Sequence, residues 1–239
     1  MDAKAYQYIQ KGERSWWYRG REAMVKRMLL GTSLAQDGYI LDFGAGYGAT
    51  YSFLKKYGTV DAYEIEPAAA EGCRARGYAR VITTESELGQ TDSYTLIGAF
   101  DVLEHLEDDR AALRTVYTIL ESDGVFVATI PAFKSLWSKH DELHHHFRRY
   151  SLLEIRRLFT EAGFVQVRAS YWNMMLFPVA YVLRFFGKGG GEALTPPAFV
   201  NWALTKLLCL EATAVPFVSL PFGTGIVIVG KKPHQHSSV

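Results

Sequence analysis

Apolar runs and polar breaks alternate along the first two thirds of the chain in a regular order. Short apolar runs that end near a glycine, a proline or an acidic residue predict buried strands. These runs are YILDF, TVDAYEIEP, ARVITTE, YTLIGAF and GVFVATIPA. Segments with helical periodicity stand between or after them, namely ATYSFLKKYG, AAAEGCRARGY, DDRAALRTVYTILES and SLLEIRRLFTEAG. Strands that alternate with helices predict an α/β, Rossmann-like fold with a parallel sheet, in which ligands bind beyond the carboxyl ends of the strands.

The same pattern divides the chain into four parts. They are a helical arm (1–35), the α/β core (36–172), an apolar helical insert (173–222) and a final strand with a disordered tail (223–239). Within the core, Ser151 is placed to cap the start of a helix, and Gly163 is placed to end it. The core is therefore the part in which we expect the functional site.

Composition limits the classes of function. A chain of 239 residues with 49% hydrophobic content can bury roughly 70 to 75% of its unfolded surface, which suits one well-cored domain with an elaboration. A net charge of +1 gives no broad positive field, so we expect no nucleic-acid partner. Cys73 and Cys209 lack the spacing of a zinc site, and the N terminus lacks the apolar segment of a secretory signal. We therefore expect a cytoplasmic protein.

Three glycines at alternate positions follow the first predicted strand, in the stretch YILDFGAGYGAT. Gly44 and Gly46, together with Ala49, also satisfy the dinucleotide pattern G-x-G-x-x-G/A. Glu64 follows Asp42 by 22 residues and could accept both ribose hydroxyls of any adenosine. Asp42 favours a nucleoside that carries an amino-acid moiety over a dinucleotide. The reason is that an acid beside the turn would repel a pyrophosphate but suits the ammonium of an amino acid.

Four segments together resemble the class I S-adenosylmethionine-dependent methyltransferases: LDFGAGYG, YEIEP, FDVLEHL and GVFVATIP. The resemblance implies a seven-stranded, mostly parallel sheet and S-adenosylmethionine as the cofactor. It also implies a role for each matching residue in binding that cofactor. The methionine part would be surrounded by Asp42, Gly44, Ala45 and Gly46, the ribose held by Glu64, the adenine approached by Ile65, Glu85 and Ser86, and the sulfonium approached by Phe100 and Asp101.

A narrower resemblance is to a bacterial subgroup of methyltransferase type 11 or type 12 proteins. SWWYRGRE, WSKHDELHHHFRRYSLLEI and LPFGTGIVIV carry it. It implies that Trp17 and Arg21 close over the cofactor, with Arg21 facing the cofactor's carboxylate. The alternative is a surface helix with a buried tryptophan pair.

Histidines gather near the predicted mouth of the site. Because histidine titrates near neutral pH, one of them could take a proton from a hydroxyl or ammonium acceptor. The candidates for this catalytic role are His105, His140 and His146. The loop HDELHHHFRRY follows the fifth strand, where an acceptor pocket belongs, and Asp141, Arg149 and Tyr150 are its candidate substrate-binding residues. The alternative is a solvated loop or a helix entry with a structural arginine pair.

The segment AFDVLEHL raises the question of a metal ion. Asp101, Glu104 and His105 stand at short spacing, and the segment resembles the ubiquinone-pathway O-methyltransferases, where an acidic residue followed by a Glu-His pair can meet a divalent ion. Asp101 serves the cofactor if the first resemblance holds, and His105 can turn inward. We therefore expect a metal-free site.

The insert has two apolar runs, 174–186 and 199–222. The first is too short to span a membrane, and Lys206 and Glu211 interrupt the second. In the second run, apolar residues recur at three-to-four spacing, which predicts a helical lid. They are Phe199, Ala203, Leu207 and Leu210. The insert is expected either to cover a sheet edge or form a homodimer contact, or to line an apolar acceptor channel and contact the inner membrane surface through residues 174–222.

These features predict an S-adenosylmethionine-dependent methyltransferase that acts on oxygen or nitrogen of a small-molecule or lipid-linked acceptor. Two alternatives stay open. One is a nicotinamide-dependent oxidoreductase, which Asp42 disfavours, and the other is a cofactor-binding module without catalysis.

Overall fold

The computed structural model of the chain describes residues 15–32, 34, 37–88, 93–185 and 196–234. Its strands are β1 Gly38–Phe43, β2 Gly58–Tyr63, β3 Val81–Ile82, β4 Tyr94–Phe100, β5 Leu120–Pro131, β6 Val165–Trp172 and β7 Gly225–Lys231. They form one seven-stranded sheet in the order β3-β2-β1-β4-β5-β7-β6. All neighbours from β3 to β5 pair in parallel, whereas β7 is antiparallel to both β5 and β6. The predicted Rossmann-like, mostly parallel sheet is confirmed.

Helices connect these strands and flank the sheet. They are α1 Trp16–Met28, α2 Tyr51–Leu54, α3 Pro67–Arg76, α4 Asp109–Ile119, α5 Lys139–Leu143, α6 Leu152–Glu161, α7 Phe177–Phe185 and α8 Ala198–Ala214. Three short 3-10 turns lie at Glu85–Glu87, Leu103–His105 and Lys134–Leu136. Ser151 caps α6 in a capping box with Glu154, and Gly163, at φ 101°, follows the end of that helix as predicted.

The helix predicted over ATYSFLKKYG is a single turn, α2. The reason is that β2 begins early, at Gly58, which pairs with Gly38 at the start of β1. A Cβ atom on Gly58 would lie 2.0 Å from the carbonyl oxygen of Gly38, so only glycine permits this close approach. Too few residues remain between the glycine turn and β2 for a longer helix.

The arm and the insert pack against each other. A Cβ atom on Gly20 of α1 would lie 2.3 Å from a methyl carbon of Leu208 of α8, so the two helices cross at near-backbone contact. The backbone N–H of Trp16 donates to Oδ1 of Asn201, at 2.7 Å. The ring of Trp17 of the same helix packs at a tilt against that of Trp172 at the end of β6, with ring centroids 4.4 Å apart. The arm is thereby fixed to both the insert and the sheet.

The insert buries a different face from the apolar repeat noted in its sequence. Leu208 and Ala212 of α8 are buried, whereas Phe199 and Leu210 of that repeat are 76% and 64% exposed. None of the described helices is both long and apolar enough to cross a membrane. Residues 1–14 of the arm, the glycines at 189–191 within the insert and the tail 235–239 lie outside the described residues. The four-part division of the chain stays a prediction.

Candidate active site

The turn at residues 44–48, called the glycine turn below, follows β1 directly. Gly44, Gly46 and Gly48 have φ values of 74°, 56° and 75°, a backbone region that side-chain-bearing residues rarely adopt. The N–H of Gly44 donates to the carbonyl of Tyr63 at 2.8 Å, which ties the turn to the end of β2. A Cβ atom on Gly44 would lie 2.6 Å from Val102, so the turn has no room for a side chain there. The backbone itself forms this wall of the site.

Glu64, one residue beyond β2, fixes the shape of this turn. Its Oε2 accepts the N–H of Gly46 at 2.7 Å, and its Oε1 accepts the N–H of Glu66 at 2.8 Å. Burial raises the pKa of Glu64, and these two backbone donors partly oppose that rise. The adjacent Ile65 is 67% exposed and presents an apolar surface at the same edge.

Asp42 lies beneath the glycine turn and is buried. Its Oδ2 accepts hydrogen bonds from the hydroxyl groups of Thr50 and Tyr78, the latter at 2.6 Å. Burial raises the pKa of Asp42 to about 6, because the cost of desolvation outweighs these two hydrogen bonds. Tyr78 is a residue that sequence reasoning did not identify, since it follows α3 and its distance from the turn depends on the fold.

Arg21 of α1 forms an ion pair with Asp101, which follows β4. The Nη1 and Oδ2 atoms are 2.6 Å apart, and the guanidinium is largely buried. Thr129 donates to the other carboxylate oxygen of Asp101 at 3.1 Å. Arg21 was predicted to face the cofactor's carboxylate, and in this structure its guanidinium contacts Asp101 and lies 5.5 Å from the ring centre of Phe100.

One cavity of about 1000 Å³ connects the glycine turn with the insert. Eleven of the twelve predicted cofactor residues line it. They are Trp17, Arg21, Asp42, Gly44, Ala45, Gly46, Glu64, Ile65, Glu85, Phe100 and Asp101. The twelfth, Ser86, does not line the cavity, and its hydroxyl lies 3.1 Å from that of Thr84. Part of the cavity wall is apolar and includes Leu106, Leu176, Val179, Ala180 and Leu204, of which the insert supplies four.

All three predicted catalytic histidines line the cavity. They are His105, His140 and His146, and His144 joins them. His146 Nδ1 lies 2.9 Å from Oδ1 of the buried Asp141. Although burial alone would raise the pKa of Asp141, hydrogen bonds from His146 and Arg149 hold it well below its usual range. Burial, with the charge of His146, lowers the pKa of His105 to about 4.

The three predicted substrate-binding residues are all buried. Arg149 donates from Nε and Nη2 to the two oxygens of Asp141, at 2.7 and 3.0 Å, and from Nη1 to the carbonyl of Ala132. Arg149 also reaches the cavity wall. Tyr150 donates to Asp109 at 2.8 Å and lines a separate cavity of about 610 Å³. Asp141 and Arg149 therefore hold the histidine loop in shape.

Glu104 is a deeply buried acid on the cavity wall. The residue is 1% exposed, and its Oε2 has no hydrogen-bond partner among the described residues. Burial, followed by the charge of Asp101, raises the pKa of Glu104 well above its ordinary value. The sequence drew attention to this residue through its Glu-His pair, but not to its burial.

Known proteins share this fold and part of this sequence. A methyltransferase domain family matches residues 16–169, which is more than half of the chain. No curated protein sequence matches this chain significantly.

Solved structures give three useful comparisons. In the complex between the Haloferax volcanii Trm112 methyltransferase activator and a methyltransferase, the similar chain is 19% identical, with 98% of this chain and 96% of that chain covered and a TM-score of 0.61. A SAM-dependent methyltransferase from Archaeoglobus fulgidus is 14% identical, with 89% of this chain and 93% of that chain covered and a TM-score of 0.57. Haemonchus contortus phosphoethanolamine N-methyltransferase 2, in complex with S-adenosyl-L-methionine, is 11% identical, with 90% of this chain and 52% of that chain covered and a TM-score of 0.56. At these identities the likeness shows a shared fold alone.

The residues of the site fit S-adenosylmethionine. In the glycine turn the backbone forms the cavity wall at a point where a Cβ atom would fill the space. Asp42 and Glu64 place carboxylates beside this turn. The nicotinamide alternative finds no support in the family match. The chain belongs to the methyltransferase domain family, and it is an S-adenosylmethionine-dependent methyltransferase.

Proposed function

We propose that this enzyme methylates an oxygen or nitrogen atom of a lipid-linked acceptor. The observation that carries the proposal is the apolar part of the cavity wall, to which the insert contributes Leu176, Val179, Ala180 and Leu204. A cavity of about 1000 Å³ is at the upper end of the range for small-molecule sites. Such a volume suits a cofactor together with an acceptor that carries an apolar chain.

The cofactor end of the cavity holds S-adenosylmethionine, which when bound supplies an electrophilic methyl group. We assign Asp42 and the glycine turn to its methionine part, Glu64 to the ribose and Ile65 to the adenine. Arg21 and Trp17 close this end from the arm. The Arg21–Asp101 pair holds the arm against the end of β4, and this contact limits the entry of water.

The acceptor end provides positioning and a route for a proton. Much of the barrier to an in-line methyl transfer is removed when the acceptor is held at near-attack distance. The acceptor's proton goes to a histidine, either His140 or His146. Asp141 orients the ring of His146, and Arg149 holds Asp141 in turn, so both act as positioning residues in this proposal.

The outer surface of the insert supports a lipid-linked acceptor. Large apolar side chains outside the cavity lining are exposed along it: Met175, Tyr181, Val182, Phe199, Val200, Trp202, Leu210, Phe217, Val218 and Phe222. Exposed apolar surface of this extent indicates a contact with a membrane or another protein. We propose that this surface lies on a membrane, so that a lipid-linked acceptor enters between α7 and α8. A homodimer through the same surface is the competing outcome.

The test is to incubate the enzyme with methyl-labelled S-adenosylmethionine and a bacterial total-lipid extract, alongside a polar metabolite extract. We expect label in the organic phase, and we expect the Glu64→Ala variant to transfer little. Label that enters polar products alone would contradict the lipid-linked acceptor and favour a small-molecule acceptor.

A further inference from the structure

Three side chains on the cavity wall converge in a way that suits a metal ion. Glu104, His105 and His146 each offer one ligand atom, and these atoms all lie within 4.8 Å of one another. The rings of His105 and His146 stand edge to face, with centroids 4.5 Å apart. We propose that these three side chains bind a divalent transition-metal ion. The inference deepens the proposed function, because the ion faces the acceptor end of the cavity, yet ion binding can be measured without any acceptor.

His146 is already oriented as a metal ligand. Its Nδ1 is engaged by Asp141 at 2.9 Å, which leaves Nε2 for an ion. Metal-bound histidines commonly use their second ring nitrogen in this way, on a carboxylate that fixes the tautomer and the ring. Asp141 is itself held by two hydrogen bonds from Arg149, so the orientation of His146 does not depend on the ion.

Glu104 gives independent support for a metal ion at this point. Its Oε2 is buried and has no partner among the described residues, a condition that is rare because an unpaired buried polar atom is costly. Its backbone carbonyl is fixed by the N–H of Phe147, at 2.7 Å, which also holds the histidine loop beside it. An ion at this point satisfies the carboxylate and joins the end of β4 to the loop that follows β5.

This ligand set differs from the one that the sequence suggested. Asp101, the first member of that set, is engaged by Arg21 and Thr129. His146 takes its place, although it lies 41 residues beyond His105 in the sequence. Two imidazoles and one carboxylate favour Zn²⁺, Co²⁺, Fe²⁺ or Mn²⁺ over Ca²⁺ and Mg²⁺, which prefer oxygen ligands. Three protein ligands leave open positions for an acceptor atom.

An ion at this place selects a hydroxyl as the acceptor group. A metal ion lowers the pKa of an O–H group bound to it, so the proton leaves near neutral pH. His140, whose ring centroid is 6.2 Å from that of His146, then receives the proton. The oxygen lone pair forms the new bond to the methyl carbon, and the electron pair of the broken carbon–sulfur bond returns to sulfur. In this assignment His146 is a ligand and His140 is the base.

The test uses tag-free, full-length protein that has been treated with chelator and then titrated with Co²⁺, which reports its ligands through visible absorption. We expect one Co²⁺ per chain, displaced by Zn²⁺. Glu104→Gln and His146→Asn should each weaken Co²⁺ binding at least 100-fold, and Asp141→Asn about 10- to 100-fold. The matched control is His145→Asn, which changes an exposed neighbour outside the ligand set and should bind Co²⁺ normally.

Wild-type protein that binds Co²⁺ no more tightly than Glu104→Gln would overturn the proposal, as would equal losses in His145→Asn and His146→Asn. Thermal melting accompanies each variant, and His105→Asn decides the matter if His146→Asn does not fold. The two proposals fail separately. Wild-type enzyme that methylates lipid but binds no Co²⁺ contradicts the metal site, whereas wild-type enzyme that binds Co²⁺ but transfers no methyl group to lipid contradicts the acceptor class.

Discussion

Arg21 Nη1 lies 2.6 Å from Asp101 Oδ2, and this ion pair joins the N-terminal helix to the end of β4. Both residues line the cavity. The pair therefore connects the position of the arm to the shape of the site. It also places the positive charge of Arg21 beside the end of β4, which the Glu104-His105 pair follows in the sequence.

Replacing Arg21 with Gln should lower both stability and cofactor affinity. The loss of a charged hydrogen bond beside a partly buried carboxylate should reduce the free energy of unfolding by about 1.5 to 3 kcal/mol. Calorimetric titration should show weaker S-adenosylmethionine binding. The control is Lys56→Gln, which breaks an exposed ion pair with Glu22 and should cost about 1 kcal/mol or less. Equal effects of the two changes would show that the Arg21 pair has no special role.

The second prediction concerns Glu64. Glu64→Ala should weaken S-adenosylmethionine binding by about 1.5 to 3 kcal/mol, because the turn loses the acceptor of the Gly46 N–H and the ribose loses its own acceptor. Gly46→Val should do at least as much damage, since φ at this position is 56°. Glu71→Ala, on the exposed face of α3, is the matched control. Near-normal affinity of Glu64→Ala in calorimetry would remove this residue from the cofactor site.

The third prediction is a pH dependence of stability that arises from Asp42. Its folded pKa of about 6 lies above its ordinary value of 3.8, so the protonated form is favoured in the folded state. The stability that this provides is fully present below about pH 4 and is lost as the pH rises through 6. The difference in unfolding free energy between wild type and Asp42→Asn should therefore fall by roughly 3 kcal/mol over this range. A difference that stays constant from pH 4 to 7 in denaturant titrations would contradict the burial of an ionisable Asp42.

A fourth prediction concerns the proton acceptor. His140→Asn should lower the methyl-transfer rate about 100-fold or more while S-adenosylmethionine affinity stays normal, because a general base typically contributes that much. His145→Asn serves as the control, since this residue is exposed and lies outside the histidine group on the cavity wall. Unchanged turnover of His140→Asn would mean that this residue takes no proton.

The insert allows its outer surface to be separated from its core. Phe199→Ser with Leu210→Ser should reduce sedimentation with liposomes, while the melting temperature changes little, because both side chains are exposed. Leu208→Ser is the contrasting variant. Its side chain is buried against Gly20, so it should destabilise the protein by about 2 to 5 kcal/mol. If the double variant instead unfolds or loses a dimer, the surface is an interface between subunits.

Local patterns were sufficient for much of the fold. The glycine turn after β1, the Ser151 cap and the Gly163 stop each depend on residues a few positions apart, and each occurs where the sequence placed it. The length of α2 was wrong, because it depends on a contact between Gly58 and Gly38 across two strands.

The candidate site also divides into features that nearby residues in the sequence predict and features that depend on contacts in the fold. The glycines, Asp42 and Glu64 could be identified because their spacing along one strand–turn–strand unit determines their positions. The pairs Arg21–Asp101 and Asp141–Arg149 could not be identified, because the first depends on which elements meet in the fold and the second on the path of the loop between its two residues. The apolar repeat in α8 failed to show which face is buried, since Phe199 and Leu208 are equally apolar and only packing against Gly20 distinguishes them.

A crystal structure of the enzyme with S-adenosylhomocysteine tests the central claim most directly. The account predicts the amino-acid part at the glycine turn, the ribose on Glu64, and the sulfur facing the cavity region bounded by Glu104, His146 and the insert. A ligand that binds elsewhere, or whose sulfur faces away from that region, would contradict it.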